Sequence, residues 1–200
     1  MEGYLNFERL EKTRNLLHYT VLLAGFLIHP IDKFRQTHSK MKYVAGEMYR
    51  VVSDVASKLS DLSGQEAARR SAPAKWSRKE ILGHLIDSAA NNHQKFVRAM
   101  QQPHLEFPGY QQDDWVSLQK WRDADWEEMI ALWKAYNNHL AFLIRHVDTA
   151  HLKNEITIEG AGPFTLAFVM QDYVEHLKHH VKQIFPEMQI ESKFVNVYKR

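Results

Sequence analysis

Residues 166–184 read LAFVMQDYVEHLKHHVKQI, and two patterns overlap in them. Leu166, Met170, Tyr173, Leu177, Val181 and Ile184 recur three and four apart, the period of one helical face, and Pro186 closes the segment. His176, His179 and His180 sit on the same segment. An apolar stripe needs partners, so the fold turns on whether other segments carry matching ones. Three do. Val44, Met48, Val51, Val55, Leu59 and Leu62 form the first. Leu82, Leu85, Ala89, Phe96 and Met100 form the second, in a segment from about Arg78 that Ser77 and Glu80 open as a capping box, with Pro73 just ahead. Met129, Trp133, Tyr136, Leu140, Leu143 and Val147 form the third. Four amphipathic helices of about 20 residues bury four stripes as a four-helix bundle, so the expected class is all-α.

The connections carry information of their own. Between the second and third helices runs QQPHLEFPGYQQDDWVSLQKWRDAD, residues 101–125. That is long for a structureless loop, and such segments are often lids or crossovers. Its aromatics Phe107, Tyr110, Trp115 and Trp121 predict that it packs on the bundle, and Tyr110, Asp113, Asp114 and Trp115 are candidates for a substrate rim. Between the third and fourth helices, Ile156 and Ile158 alternate ahead of a Gly-Ala-Gly-Pro turn, which predicts a small hairpin or an extended excursion. Residues 1–40 stand apart, with a helix expected from about Leu5 to Ile28. They are either an extra helix or an upstream extension of the true start, and the second is favoured because four stripes already complete a bundle. The expected layout is this extension, a bundle over residues 41–186 opened by Met41, and a tail over residues 187–200.

Composition narrows the function. The 200 residues suit one domain, and 26 basic against 24 acidic side chains, interspersed, leave a formal net charge of +2. No clustered basic face marks a nucleic-acid partner. There is no cysteine, which excludes disulfides, thiolate metal sites and a cysteine nucleophile. A transition metal would have to be held by histidine and carboxylate. The longest apolar stretch, residues 16–28, is shorter than the roughly 20 residues of a membrane span and lacks signal-peptide features, so a cytoplasmic protein with no membrane partner is expected.

Among 12 histidines, one i, i+4 pair is expected by chance, so the spacing of His176 and His180 is no argument by itself. Phase is a better one. At about 100° per residue His180 falls roughly 50° and His176 roughly 90° from the centre of the stripe, on the same side, while His179 points to solvent at about 150°. Two imidazoles on successive turns beside a packed stripe can converge on one ion, or each can be hydrogen-bonded separately. On the second helix His84 shares a polar strip with Asp87, Ser88, Asn91 and Asn92. That strip lies about 120° from the apolar centre, so it either lines an internal cavity or faces water.

Taken in order, WSRKEILGHLIDSAANNHQKFVRA, PGYQQDDWV and DYVEHLKHHVKQI resemble the DinB-like superfamily, in particular its YfiT-type metal-dependent hydrolases. The resemblance runs from about Met41 to Phe185. It implies a bundle with up-down-down-up connections and a divalent metal held by three histidines, one from the second helix and two from the fourth. Those positions fall on His84, His176 and His180, with His179 a bystander. The amino-terminal forty residues have no counterpart in the family pattern.

Three neutral imidazoles leave a divalent cation its full charge and an open position, the mark of a catalytic rather than a structural site. Such a cation, zinc or nickel foremost, brings the pKa of a bound water to about 7, which makes hydrolysis of a small soluble substrate the leading expectation. The alternative is an S-transferase using a low-molecular-weight thiol, as in several relatives. A non-catalytic helical binding or stress-response module is the third. Asp87 and Asp172 are candidates for a general base or for partners that orient the imidazoles, and Asn91 and Gln183 for pocket lining. A homodimer through an exposed helix face is expected.

Overall fold

The computed structural model describes residues 30–198. The helix expected over Leu5 to Ile28 lies outside them. The chain divides into two units, Met1–His38 and Ser39–Arg200, and the core and the site described below belong to the second. The helices are α1 (Pro30–Ser60), a single turn α2 (Gly64–Ala67), α3 (Arg78–Gln101), a short α4 (Gln112–Leu118), α5 (Trp126–His146) and α6 (Leu166–Ile184). Strands β1 (His104–Phe107), β2 (Glu155–Ile158) and β3 (Ala161–Thr165) make a small sheet in that order. No helix among the described residues is long and apolar enough to cross a membrane.

The four stripes are the core. Met48, Val51, Val55 and Leu59 of α1, Leu82, Leu85, Ala89 and Phe96 of α3, Met129, Trp133 and Leu140 of α5, and all six stripe residues of α6 are buried together. Contacts between helices give their directions. Lys79 Nζ donates to Ala124 O at the start of α5, and His93 meets Tyr136 midway, so α3 and α5 run parallel. Trp126 Nε1 donates to Leu59 O, which sets the end of α1 beside the start of α5. Arg78 Nε donates to Ile184 O, so α6 runs against α3, and Lys178 pairs with Glu47 of α1. The order is up-down-down-up. Two parallel neighbours force the chain after α3 to travel back along the bundle, which is why that connection is long.

Three expectations are corrected. The first bundle helix begins at Pro30 rather than Met41. Residues 30–40 offer only Ile31 and Phe34 as large apolar side chains, too few to mark a stripe, although proline suits the first helical position. The long connection is not a bare loop. It contains β1, α4 and a 3-10 turn over Trp121–Asp123. β1 pairs in parallel with β2, Leu105 opposite Ile156 and Phe107 opposite Ile158, a non-local pairing that local pattern does not reveal. The hairpin joining β2 and β3 is present, but its turn is Glu159-Gly160, with φ of 50° and 78°, and the Gly-Ala-Gly-Pro stretch runs on into β3. Two positive φ values in succession match the twist of paired strands.

Candidate metal centre

His84 arrives on α3 and His176 and His180 on α6, about one to two turns from where Arg78 ties the two helices together. One ligand atom from each lies within 4.8 Å of the others. His84 Nε2 and His176 Nε2 are 3.4 Å apart, and the rings meet edge to face with centroids 4.5 to 5.3 Å apart. That nitrogen separation is long for a hydrogen bond. It is the spacing, about 3.4 Å, of two tetrahedral ligands at zinc–nitrogen bonds of 2.0–2.1 Å.

Phase alone left His84 between cavity and solvent, and the fold puts it in the interior. Every residue of α3 from Lys79 to Ala89 is buried, polar or not. The bundle covers one side of this segment, α6 a second, and the returning connection a third. Asp87 Oδ2 accepts from Trp121 Nε1 at 3.1 Å and Oδ1 from Gln119 Nε2 at 2.7 Å, so the connection is clamped over the helix. A polar strip that reads as a solvated face is therefore the floor beneath a covering segment.

Electrostatics favour ligation. Burial pushes His84 down to about 3 and His180 down to about 4, and it takes His176 well below the usual histidine range, with the neighbouring imidazoles adding to the effect. All three are neutral at pH 7, with lone pairs free for a cation. Gln183 Oε1 lies 2.9 Å from His180 Nδ1, where it accepts that N–H and leaves Nε2 as the ligand atom. Ser88 Oγ stands 3.4 Å from His176 Nδ1. Among the described residues His84 Nδ1 is buried with no partner, and the His84 ring centroid lies 5.3 Å from that of Trp76. The residues present fit a divalent cation with an N₃ donor set.

The other candidates are distributed unevenly. Gln183 orients His180 and donates its amide to His179 Nε2 at 3.1 Å, so His179 is outside the cluster but tied to it. Asp172 lines a cavity of about 390 Å³ together with His84 and His176, and accepts from Tyr198 Oη at 2.6 Å. Asp87 is occupied by Gln119 and Trp121 and serves the connection rather than the imidazoles. Asn91 turns its amide back to Asp87 O at 2.9 Å, and Asn92 takes the place on the cavity wall. Of the proposed rim, Tyr110 and Asp113 line the cavity, while Trp115 is exposed and leans on Tyr110 at 4.7 Å between centroids. A second cavity of about 530 Å³, between Trp76, Asp113 and Gln183, reaches His180 from the other side.

Sequence reasoning passed over Lys95, Phe194 and Tyr198, which also line the first cavity. Phe194 sets its edge against His176 at 5.0 Å, and Lys193 N and Ser192 Oγ both bind Glu175. The tail is a wall of the site. Its aromatics were the available signal, since Phe194 and Tyr198 are unusual in a solvated terminus.

Comparison with known proteins agrees with this fold. The structure is similar to YfiT from Bacillus subtilis, described as a "probable metal-dependent hydrolase with an unusual four-helix bundle topology", with a TM-score of 0.57 and 19% identity over 80% of this chain and 88% of that one. A search of curated proteins finds no match. The family model of the DinB superfamily matches residues 47–184, a span that takes in the second half of α1, the other three long helices and the three histidines. The chain belongs to the DinB superfamily.

Proposed function

We propose that this protein is a metal-dependent hydrolase of a small soluble substrate, with His84, His176 and His180 holding one divalent transition metal, zinc or nickel foremost. One observation carries the reading: three neutral imidazoles, two buried and one half-buried, bring a ligand atom each within 4.8 Å of one another, and His84 and His176 line a cavity that also holds ionisable groups. A divalent cation bound there supplies Lewis acidity, enough to polarise a carbonyl and to acidify water. The chain's own residues do the rest. Gln183 holds the His180 ring in the tautomer that leaves Nε2 free, and Ser88 Oγ stands beside His176 Nδ1. Asp172, its carboxyl raised by burial and held by Tyr198, is the base on the cavity wall one helical turn before His176. Tyr110 and Phe194 restrict water.

Metal analysis of untagged protein tests the assignment. Wild type should carry about one metal per chain and His176→Ala near none, with hydrolysis of a responsive ester or amide lost in parallel. Metal-free wild type, or activity that survives in His176→Ala, would overturn it. A second reading, transfer involving a small thiol, draws on the cavity that reaches His180 from the Trp76 side and offers room for a second substrate. Turnover that appears only when thiol is added would replace hydrolysis with transfer.

A further inference from the structure

Lys95 follows Ser88 and Asn92 on the face of α3 that starts at His84, and all four line the same cavity. Its ammonium lies 5.4 Å from the centroid of the Phe107 ring. Among the described residues it has no hydrogen-bond or ion-pair partner. Asp172 is the carboxylate within electrostatic reach, and its Oδ2 is already taken by Tyr198. The remaining acids on the lining, Asp113 and Glu159, are exposed at the rim, where water screens them. Burial pushes the Lys95 ammonium down to about 8, with Asp172 opposing the shift, so it stays mainly charged at neutral pH with no direct ion pair. A half-buried cation whose nearest carboxylate makes no direct ion pair with it, facing the space beside the three histidines, is placed to bind an anionic ligand group.

We propose that Lys95 receives a carboxylate of the substrate, so that the enzyme acts on small monocarboxylates whose reacting group lies several bonds from the acid. Two observations choose the class. Asp172 beside Lys95 disfavours a second negative charge, which selects a monoanion over a phosphate dianion. The eleven residues from His84 to Lys95 span about 16 Å of helix rise, and a lysine side chain leaning back towards the helix start shortens this to roughly 10 Å. The acid and the reacting group are then held at opposite ends of one cavity. The inference rests on the metal-enzyme reading of that cavity, but Lys95 is separable from the metal.

Isothermal titration of hexanoate, hexanamide and hexyl phosphate into the full chain as purified tests it, with metal content measured on the same samples. Hexanoate should bind wild type and Lys95→Arg within about threefold of each other, and Lys95→Met about 10–100-fold more weakly. Hexanamide should show no saturable binding, and hexyl phosphate should bind less tightly than hexanoate. Lys95→Gln repeats the charge loss if Lys95→Met fails to give a wild-type thermal transition. Hexanoate binding that is equal in wild type and both neutral variants would overturn the proposal, as would tighter binding of hexyl phosphate. Lys95-dependent binding in protein that carries no metal would uphold this inference while sinking the hydrolase reading. Metal-loaded protein whose hexanoate affinity ignores Lys95 would sink this inference alone.

Discussion

A methyl group added at Gly83 would lie 2.6 Å from Trp121 Cβ, closer than side-chain carbons approach one another. The glycine is there so that the connection can cross α3 beside His84. Gly83→Ala gains about 1 kcal/mol of helix propensity but forces Trp121 outward, an overpacking cost of about 1–3 kcal/mol. Trp121 also loses its bond to Asp87, which leaves a buried carboxylate short of a donor. We expect a net loss of about 1–3 kcal/mol in urea unfolding, together with weaker metal retention, since Asp87 and His84 are one turn apart. The glycine reads as a neutral helix residue in the chain, and only the crossing Trp121 gives it a purpose.

At the scale of the element, α3 shows how a helix start is fastened. Ser77 Oγ accepts from Glu80 N while Glu80 Oε2 accepts from Ser77 N at 2.8 Å, and Arg70 forms a two-point pair with the same carboxylate. The Arg70 guanidinium first, helped by the Ser77 bonds, takes Glu80 from 4.5 down to about 2 against the opposing effect of burial. A carboxyl whose folded pKa is depressed stabilises the fold above its unfolded value and loses that contribution as pH falls through the folded one. Stability should therefore decline between pH 4.5 and about 2, with Glu80 accounting for about 2–3 kcal/mol after allowance for the part-exposed Arg70. Thermal unfolding of wild type and Glu80→Gln across that range checks this: the two should differ at pH 6 and converge near pH 2. The capping box was legible in the chain because its bonds are local. Arg70 was not, because its partner is ten residues away across a turn.

The whole molecule depends on segments that carry no stripe. Beyond Ile190 the tail crosses α6 through Ser192 and Lys193 on Glu175, Phe194 on His176, and Tyr198 on Asp172. A chain ending at Ile190 should keep its helical circular-dichroism signal, because the tail contributes no helix. Its unfolding free energy should fall by about 1–3 kcal/mol from the lost burial and hydrogen bonds, measured by urea titration. Unchanged stability would show that the tail's contacts are not maintained in solution.

The chain alone determined four helices, the capping box that opens α3 and the face on which His176 and His180 stand, because apolar period and capping act over a few residues. It also kept the pair on α6 separate from His179. It could not decide by phase whether His84 met cavity or water, since that depends on a segment some forty residues further on lying across α3. The same holds for the β1–β2 pairing, for Asn92 rather than Asn91 at the wall, and for the tail that sets Phe194 and Tyr198 beside the histidines. Each is a contact between distant stretches, and side-chain period encodes which face is buried but not what buries it.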